Sequence, residues 1–186
     1  RSKSLRVGAI HLGGGTPNFL PPDALADLLN HFSGSIDFER FIGSIEVDPR
    51  TLSLEHLDVL AKFGFRRISM GVQDFDHEVQ KSVNRIQSFD LISTINDSAR
   101  EVGFESINFD LIYGLPKQSI ATVSETIAKV ISLKPELIAF YSFAYVPASA
   151  KSQNILKQDE LPLGEEKRSL YEVGKKLLEQ GGYTEI

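Results

Sequence analysis

Cysteine is absent from all 186 residues. That excludes a disulfide, a thiolate metal site and a cysteine nucleophile within this chain. No apolar run approaches the roughly 20 residues that a bilayer crossing needs. No signal peptide is expected either, since Arg1-Ser2-Lys3-Ser4 is followed by a short strand-like run. Positive charge is not in excess, with Lys and Arg at 20 against 25 Asp and Glu. The resulting net charge of −5, with both signs interspersed, leaves no footprint for nucleic acid or an anionic membrane. His11, His31, His56 and His77 share no metal-ligand spacing, so no metal site is expected. What is present, 41% apolar and 24% charged residues, is the composition of a globular protein with one sizeable core. A soluble, cytoplasmic single domain over residues 1–186 is the expectation.

The chain is organised around His11-Leu12-Gly13-Gly14-Gly15-Thr16-Pro17, directly behind the apolar run Val7–Ile10. Glycines after a strand permit positive φ and close approach of a ligand to the main chain. Pro17 then ends the strand, having no N–H for a ladder. The spacing matches neither G-x-G-x-x-G nor a P-loop. It describes a βα turn facing something small and polar.

Strands are expected at Leu5–Leu12, Phe41–Val47, Arg66–Val72, Ser106–Ile112 and Leu137–Phe143. Of these, the first, with its mixed Val, Ile and Leu content, suits a buried parallel sheet. Between them, Pro22 opens a helix whose Leu25, Leu28, Leu29 and Phe32 form one apolar face. Ser53 caps Leu54–Phe63, Asp76 a short helix through Val83, Ser88 a helix ended by Gly103, and Ser119 the next. A last helix covers about Gly164–Gln180. Lys62-Phe63-Gly64-Phe65, Glu101-Val102-Gly103-Phe104 and Gln180-Gly181-Gly182-Tyr183 repeat one pattern of helix end, glycine, aromatic and next strand. Five βα units follow one another, and Thr184-Glu185-Ile186 reads as the start of a sixth strand. This is an α/β fold with a parallel sheet, from either a (β/α) barrel or a doubly wound sheet. Phe32, Phe38 and Phe41 read as core, and Asp90 and Glu101 as solvated helix faces.

Polar residues stand at the C-terminal end of every strand: Gly13–Thr16, Glu46 and Asp48, Gln73 and Asp74, Asp110, then Tyr141 and Tyr145. In parallel α/β folds these ends face one crevice. Glu46 and Asp110 lie between apolar neighbours, where a carboxylate needs a partner such as an amine or ribose hydroxyls. Ordinary alternatives exist. Glu46 or Asp110 could pair with Arg66, Arg67 or Arg85, Gln73 could be a loop-packing amide, and Arg85 a solvated arginine. His11 reads as barrel-lining or packed.

Several segments together are more specific. They are Gly13-Gly14-Gly15-Thr16-Pro17, Ser44–Arg50 (Ser-Ile-Glu-Val-Asp-Pro-Arg) and Ser69–Phe75 (Ser-Met-Gly-Val-Gln-Asp-Phe). Val79-Gln80, Val83-Asn84-Arg85 and Asp110–Gln118 (Asp-Leu-Ile-Tyr-Gly-Leu-Pro-Lys-Gln) continue the series. In order and spacing the chain resembles the oxygen-independent coproporphyrinogen III oxidase (dehydrogenase) family of radical S-adenosylmethionine (SAM) enzymes. The resemblance implies a partial (β/α) barrel of the radical SAM type. It also implies SAM contacts at Gly14, Gly15, Thr16, Glu46, Gln73, Arg85, Asp110 and Ala144; no catalytic residue is assigned.

The implied reaction is oxidative decarboxylation of two propionates of coproporphyrinogen III to the vinyl groups of protoporphyrinogen IX. In the family a reduced [4Fe–4S] cluster cleaves SAM, an electron donor feeds the cluster, and members are usually monomeric. The family's C-x-x-x-C-x-x-C cluster loop has no counterpart here. The expectation is therefore an N- and C-terminally truncated barrel core, lacking the cluster loop, the first strand and a C-terminal domain, and inactive by itself. A related haem chaperone that binds haem is the alternative, although Glu46-Val47-Asp48-Pro49 and Gly71–Phe75 favour the enzyme. A degenerate, cluster-free ligand-binding protein is a third reading.

Overall fold

The computed structural model describes residues 7–32, 41–150, 153–154 and 156–186. Leu5 and Arg6 of the expected first strand, and Phe38, lie outside the described residues. Strands β1 (Ala9–Leu12), β2 (Ile42–Val47), β3 (Phe65–Gln73), β4 (Ser106–Tyr113) and β5 (Leu137–Ser142) alternate with helices. The helices are α1 (Pro22–His31), α2 (Leu54–Lys62), α3 (His77–Ser82), α4 (Phe89–Glu101), α5 (Ile120–Leu133) and α6 (Gly164–Gln180). One five-stranded sheet has the order β1-β2-β3-β4-β5, and β1/β2 and β2/β3 pair in parallel. Doubly wound sheets reverse direction from a switch point, whereas each strand here neighbours its successor, which is barrel winding. Most expected ends shift by one residue, as at β2, β3, β4, β5 and α2.

Contacts divide the chain into two compact units, residues 1–71 with 90–109 and residues 72–89 with 110–186. In the first, β2 alternates cleanly: Gly43, Ile45 and Val47 are buried, while Ile42 and Glu46 are exposed. The other face of β2 therefore carries the polar groups, and His11 of β1 is exposed as well. The expectation of burial for the first strand thus does not extend to the row holding His11, because a hydrophobic strand can still leave one row of side chains open. α1 packs against α2 through a narrower stripe than expected. Leu25 and Leu29 are buried, but Leu28 is 38% and Phe32 46% exposed, because Phe32 lies past the end of the helix. Phe41 joins the core edge-on to Phe65, with ring centroids 5.6 Å apart.

The second unit holds α3, α5, α6 and β5, with α5 packed on α6. Val123, Ile127 and Val130 are the buried stripe of α5. Tyr113, Phe140 and Tyr171 form an aromatic cluster with centroids 4.9 and 5.4 Å from Tyr113. Gly174 of α6 makes room for it, since a Cβ there would meet the Phe140 ring at 2.5 Å. Thr184–Ile186 carries no strand pairing. The Glu185 carboxylate instead accepts from the Tyr171 hydroxyl and the Lys175 ammonium, which holds its pKa below the usual range.

Candidate functional site

At the end of β1 the three glycines divide the work. Gly14 and Gly15 take φ of +75° and +64°, with open space where a Cβ would stand. A side chain is strained there, and a ligand can reach the main chain. Gly13 is required by crowding: a Cβ would lie 2.6 Å from His11 Nε2 and 3.2 Å from the Glu46 carboxyl carbon. That close approach lets Glu46 accept from the Gly14 N–H at 3.3 Å and from His11 Nε2 at 3.3 Å. In the neutral ring with Nε2–H donating, Nδ1 accepts, and Ser44 Oγ lies 2.9 Å from it. Parallel pairing puts His11 beside Ser44. His11 thus orients the carboxylate, and the partners of Glu46 here are a histidine and the backbone rather than the arginines that stood as its ordinary alternative.

Asn18, buried at 2% exposure, was not singled out by the sequence reading. Its Nδ2 donates to Asp48 O and Thr51 Oγ1, and its Oδ1 accepts from the Asp48 N–H, each at 2.9 Å. It staples the glycine turn to the end of β2. Asp48 is not a ligand group in waiting, because Arg50 holds it through Nη2 at 2.6 Å and Nε at 3.0 Å. The same pair raises the Arg50 pKa. A cavity of about 370 Å³ opens beside the turn, lined by His11, Gly13, Gly14, Thr16, Phe19 and Leu20 among others. A larger one of about 540 Å³ involves Arg66, Arg67, Glu105 and Ser106 at the N-terminal ends of β3 and β4. Parallel sheets bind ligands at the C-terminal ends, so the smaller cavity is the candidate.

In the second unit Gln73 ends β3 with φ +67°. Asp74, next in sequence, is 1% exposed and does not face a ligand, contrary to the expected polar ring. Its Oδ1 accepts from the Asp76 N–H at 2.6 Å and Thr126 Oγ1 at 2.9 Å, and its Oδ2 from Gln118 Nε2 at 2.6 Å. Burial nonetheless pushes its pKa up, against the pull of these donors. Arg85 lies between α3 and α4, its N–H donating to Gln80 O at 2.9 Å. Asp110 sits half-buried in β4, and the Ala144 carbonyl accepts from Gln153 Nε2 at 3.0 Å.

The first unit therefore brings Gly14 and Glu46 into contact, with Thr16 on the same turn. Gln73, Arg85, Asp110 and Ala144 belong to the second. Among the described residues no cluster of three or more His, Asp or Glu could hold a metal, and no helix is long and apolar enough to cross a membrane.

A profile of the Radical SAM superfamily matches residues 1–130. The oxygen-independent coproporphyrinogen III oxidase of Pseudomonas aeruginosa is 37% identical over 188 aligned residues, covering 100% of this chain and 41% of the relative. That of Escherichia coli is 39% identical, covering 97% of this chain and 40% of its own. The solved structure of coproporphyrinogen III oxidase (HemN) from E. coli, described as a radical SAM enzyme, superposes with a TM-score of 0.92 at 38% identity. It covers 96% of this chain and 42% of that one. The chain thus spans about 40% of the length of the curated relatives it matches.

Proposed function

Because the chain belongs to the radical SAM superfamily, we propose that it is SAM-binding barrel core from an oxygen-independent coproporphyrinogen III oxidase. Such an enzyme is cytoplasmic and turns two propionates of coproporphyrinogen III into vinyl groups. The observation that supports this reading is the likeness to HemN over 96% of this chain, at 38% identity and TM-score 0.92.

The residues present fit SAM by their chemistry. The open space over Gly14 and Gly15 admits a ligand to the main chain. Glu46, steadied by His11 and the Gly14 N–H, offers a carboxylate to an ammonium or to ribose hydroxyls. Asp110 offers a second carboxylate, Gln73 an amide, and the Arg85 guanidinium a planar fork for the methionine carboxylate. Thr16 and the backbone at Ala144 complete the set. SAM, when bound and reductively cleaved, supplies hydrogen-atom abstraction; the chain's own part is to bind and orient. With no cysteine, these 186 residues do not fit an iron–sulfur cluster, whose thiolates would come from outside them.

Two measurements test the reading. Asp110→Ala in the polypeptide of the whole reading frame should weaken SAM binding by about 1–3 kcal/mol, the cost of a lost charged partner. Unchanged affinity by calorimetry would remove Asp110 from the site. Under anaerobic reducing conditions that polypeptide should convert coproporphyrinogen III to protoporphyrinogen IX. Recovery of unreacted substrate from a cluster-loaded, SAM-binding preparation would overturn the substrate assignment.

A further inference from the structure

Two glutamines that reach no ligand hold together the segments carrying two proposed ligand residues. Gln80 of α3 is 4% exposed and Gln87 is 4% exposed. Gln80 Nε2 donates to Gln87 O at 2.8 Å, and Gln80 Oε1 accepts from the Gln87 N–H at 3.1 Å. One side-chain amide thereby pairs with both polar groups of one backbone residue, as a neighbouring strand would. The second Nε2 proton goes to Asp74 O at 2.7 Å. Gln87 reaches the same stretch, its Nε2 donating to Val72 O at 2.5 Å. The Arg85 N–H, finally, is bound by Gln80 O.

Residues 85–87 have no regular secondary structure, so no ladder of their own fixes them. Their position is set by these buried amides, which tie them to the end of β3 on either side of Gln73. Glutamine suits the task because one amide supplies two donors and an acceptor without a charge to desolvate. A carboxylate there would face two carbonyls, and an apolar chain would leave three backbone groups unsatisfied.

We propose that Gln80 is a positioning residue for SAM: its carboxamide fixes residues 85–87 against the end of β3 and so holds the Arg85 guanidinium where it meets the methionine carboxylate. This rests on the reading of Arg85 as a SAM contact. Gln80 acts through Arg85 and touches no ligand itself. Gln87 assists through its bond to Val72.

The test compares two ligands by calorimetry on the reconstituted polypeptide of the whole reading frame. One is SAM. The other is 5′-methylthioadenosine, which keeps the nucleoside and sulfur but lacks the carboxylate. Gln80→Met keeps the volume and removes all three side-chain bonds. It should weaken SAM about tenfold, leave 5′-methylthioadenosine unchanged, and add nothing in an Arg85→Ala background. Equal losses for both ligands, an effect that adds to Arg85→Ala, or wild-type SAM affinity would each overturn the role of Gln80. If Arg85→Ala itself binds SAM as wild type does, the reading of Arg85 fails, and the proposal with it. Should Gln80→Met not fold, Gln87→Met carries the same comparison. It removes the bond to Val72 while leaving the Gln80 amide in place, and should show a smaller loss confined to SAM; no selective loss would overturn the proposal.

Discussion

Asp74 sits at 1% exposure with three donors aimed at it, from Asp76 N, Thr126 Oγ1 and Gln118 Nε2. Gln118 cannot turn its amide round, because its Oε1 accepts from Leu115 N and its Nε2 also donates to Ile112 O. Asp74→Asn would therefore set one NH2 group against another, and should cost about 1–3 kcal/mol of unfolding free energy. Titration adds a second signature. Burial raises the native pKa above the ordinary aspartate value, so in the window between them the folded chain keeps a proton that the unfolded chain has released. Stability from this group is full below that window and is lost as pH rises through the raised value. The gap between wild type and Asp74→Asn should thus narrow with rising pH, read from urea unfolding at several pH values above about 4. A gap independent of pH would contradict the raised pKa. Sequence showed that Asp74 follows Gln73 at a strand end; it did not show which of the two is buried. Glu46 was expected to need a partner, but that His11 is one was not legible, since thirty-five residues separate them.

At the scale of elements, local chemistry was the most legible part of the chain. Ser53, Asp76 and Ser119 each accept from the backbone N–H three residues on, as their spacing predicts. Ser119→Ala should lower stability by about 1 kcal/mol through the lost cap of α5, seen as a lower urea midpoint with unchanged slope. An unaltered midpoint would mean that water replaces the cap without cost. His56 extends the Ser53 cap in a way the sequence reading missed. Its Nδ1 accepts from the Ser53 N–H at 3.1 Å, so its Nε2 carries the proton given to Leu20 O at 2.9 Å. Where strands meet, β2 and β3 slip register between Gly43 and Ser44. A Cβ on Gly43 would fall 2.8 Å from Phe65 Cα and 2.7 Å from ring carbons of Phe41 and Phe65. Gly43→Ala should therefore cost about 1–3 kcal/mol, because backbone atoms cannot step aside as a flexible side chain can. A substitution tolerated without loss would show that the two strands can separate.

At the scale of the whole molecule, one property follows from composition alone. Without a thiolate the 186-residue chain should take up no stoichiometric iron on anaerobic reconstitution. A four-iron absorption signal from the isolated chain would refute this. The sheet order is a different matter. Alternating strand and helix patterns were readable in the sequence, yet they fit a barrel or a doubly wound sheet equally. The family resemblance implied the barrel, and the pairing of each strand with its successor agrees with it.

The sequence by itself determined the α/β class, the order of the units, the caps at Ser53, Asp76 and Ser119 and the residue types at each strand end. These depend on periodicity, turn geometry and side-chain type, which act over a few residues. Tertiary structure decided which polar groups face outward and which are buried: Glu46 is open, Asp74 is enclosed, and Asp48 is spent on Arg50. It also placed Asn18, Gln80 and Gln87 as staples between segments. An amide carries no sequence signal of its own; its role depends on which distant backbone groups would otherwise lack a partner once water is excluded.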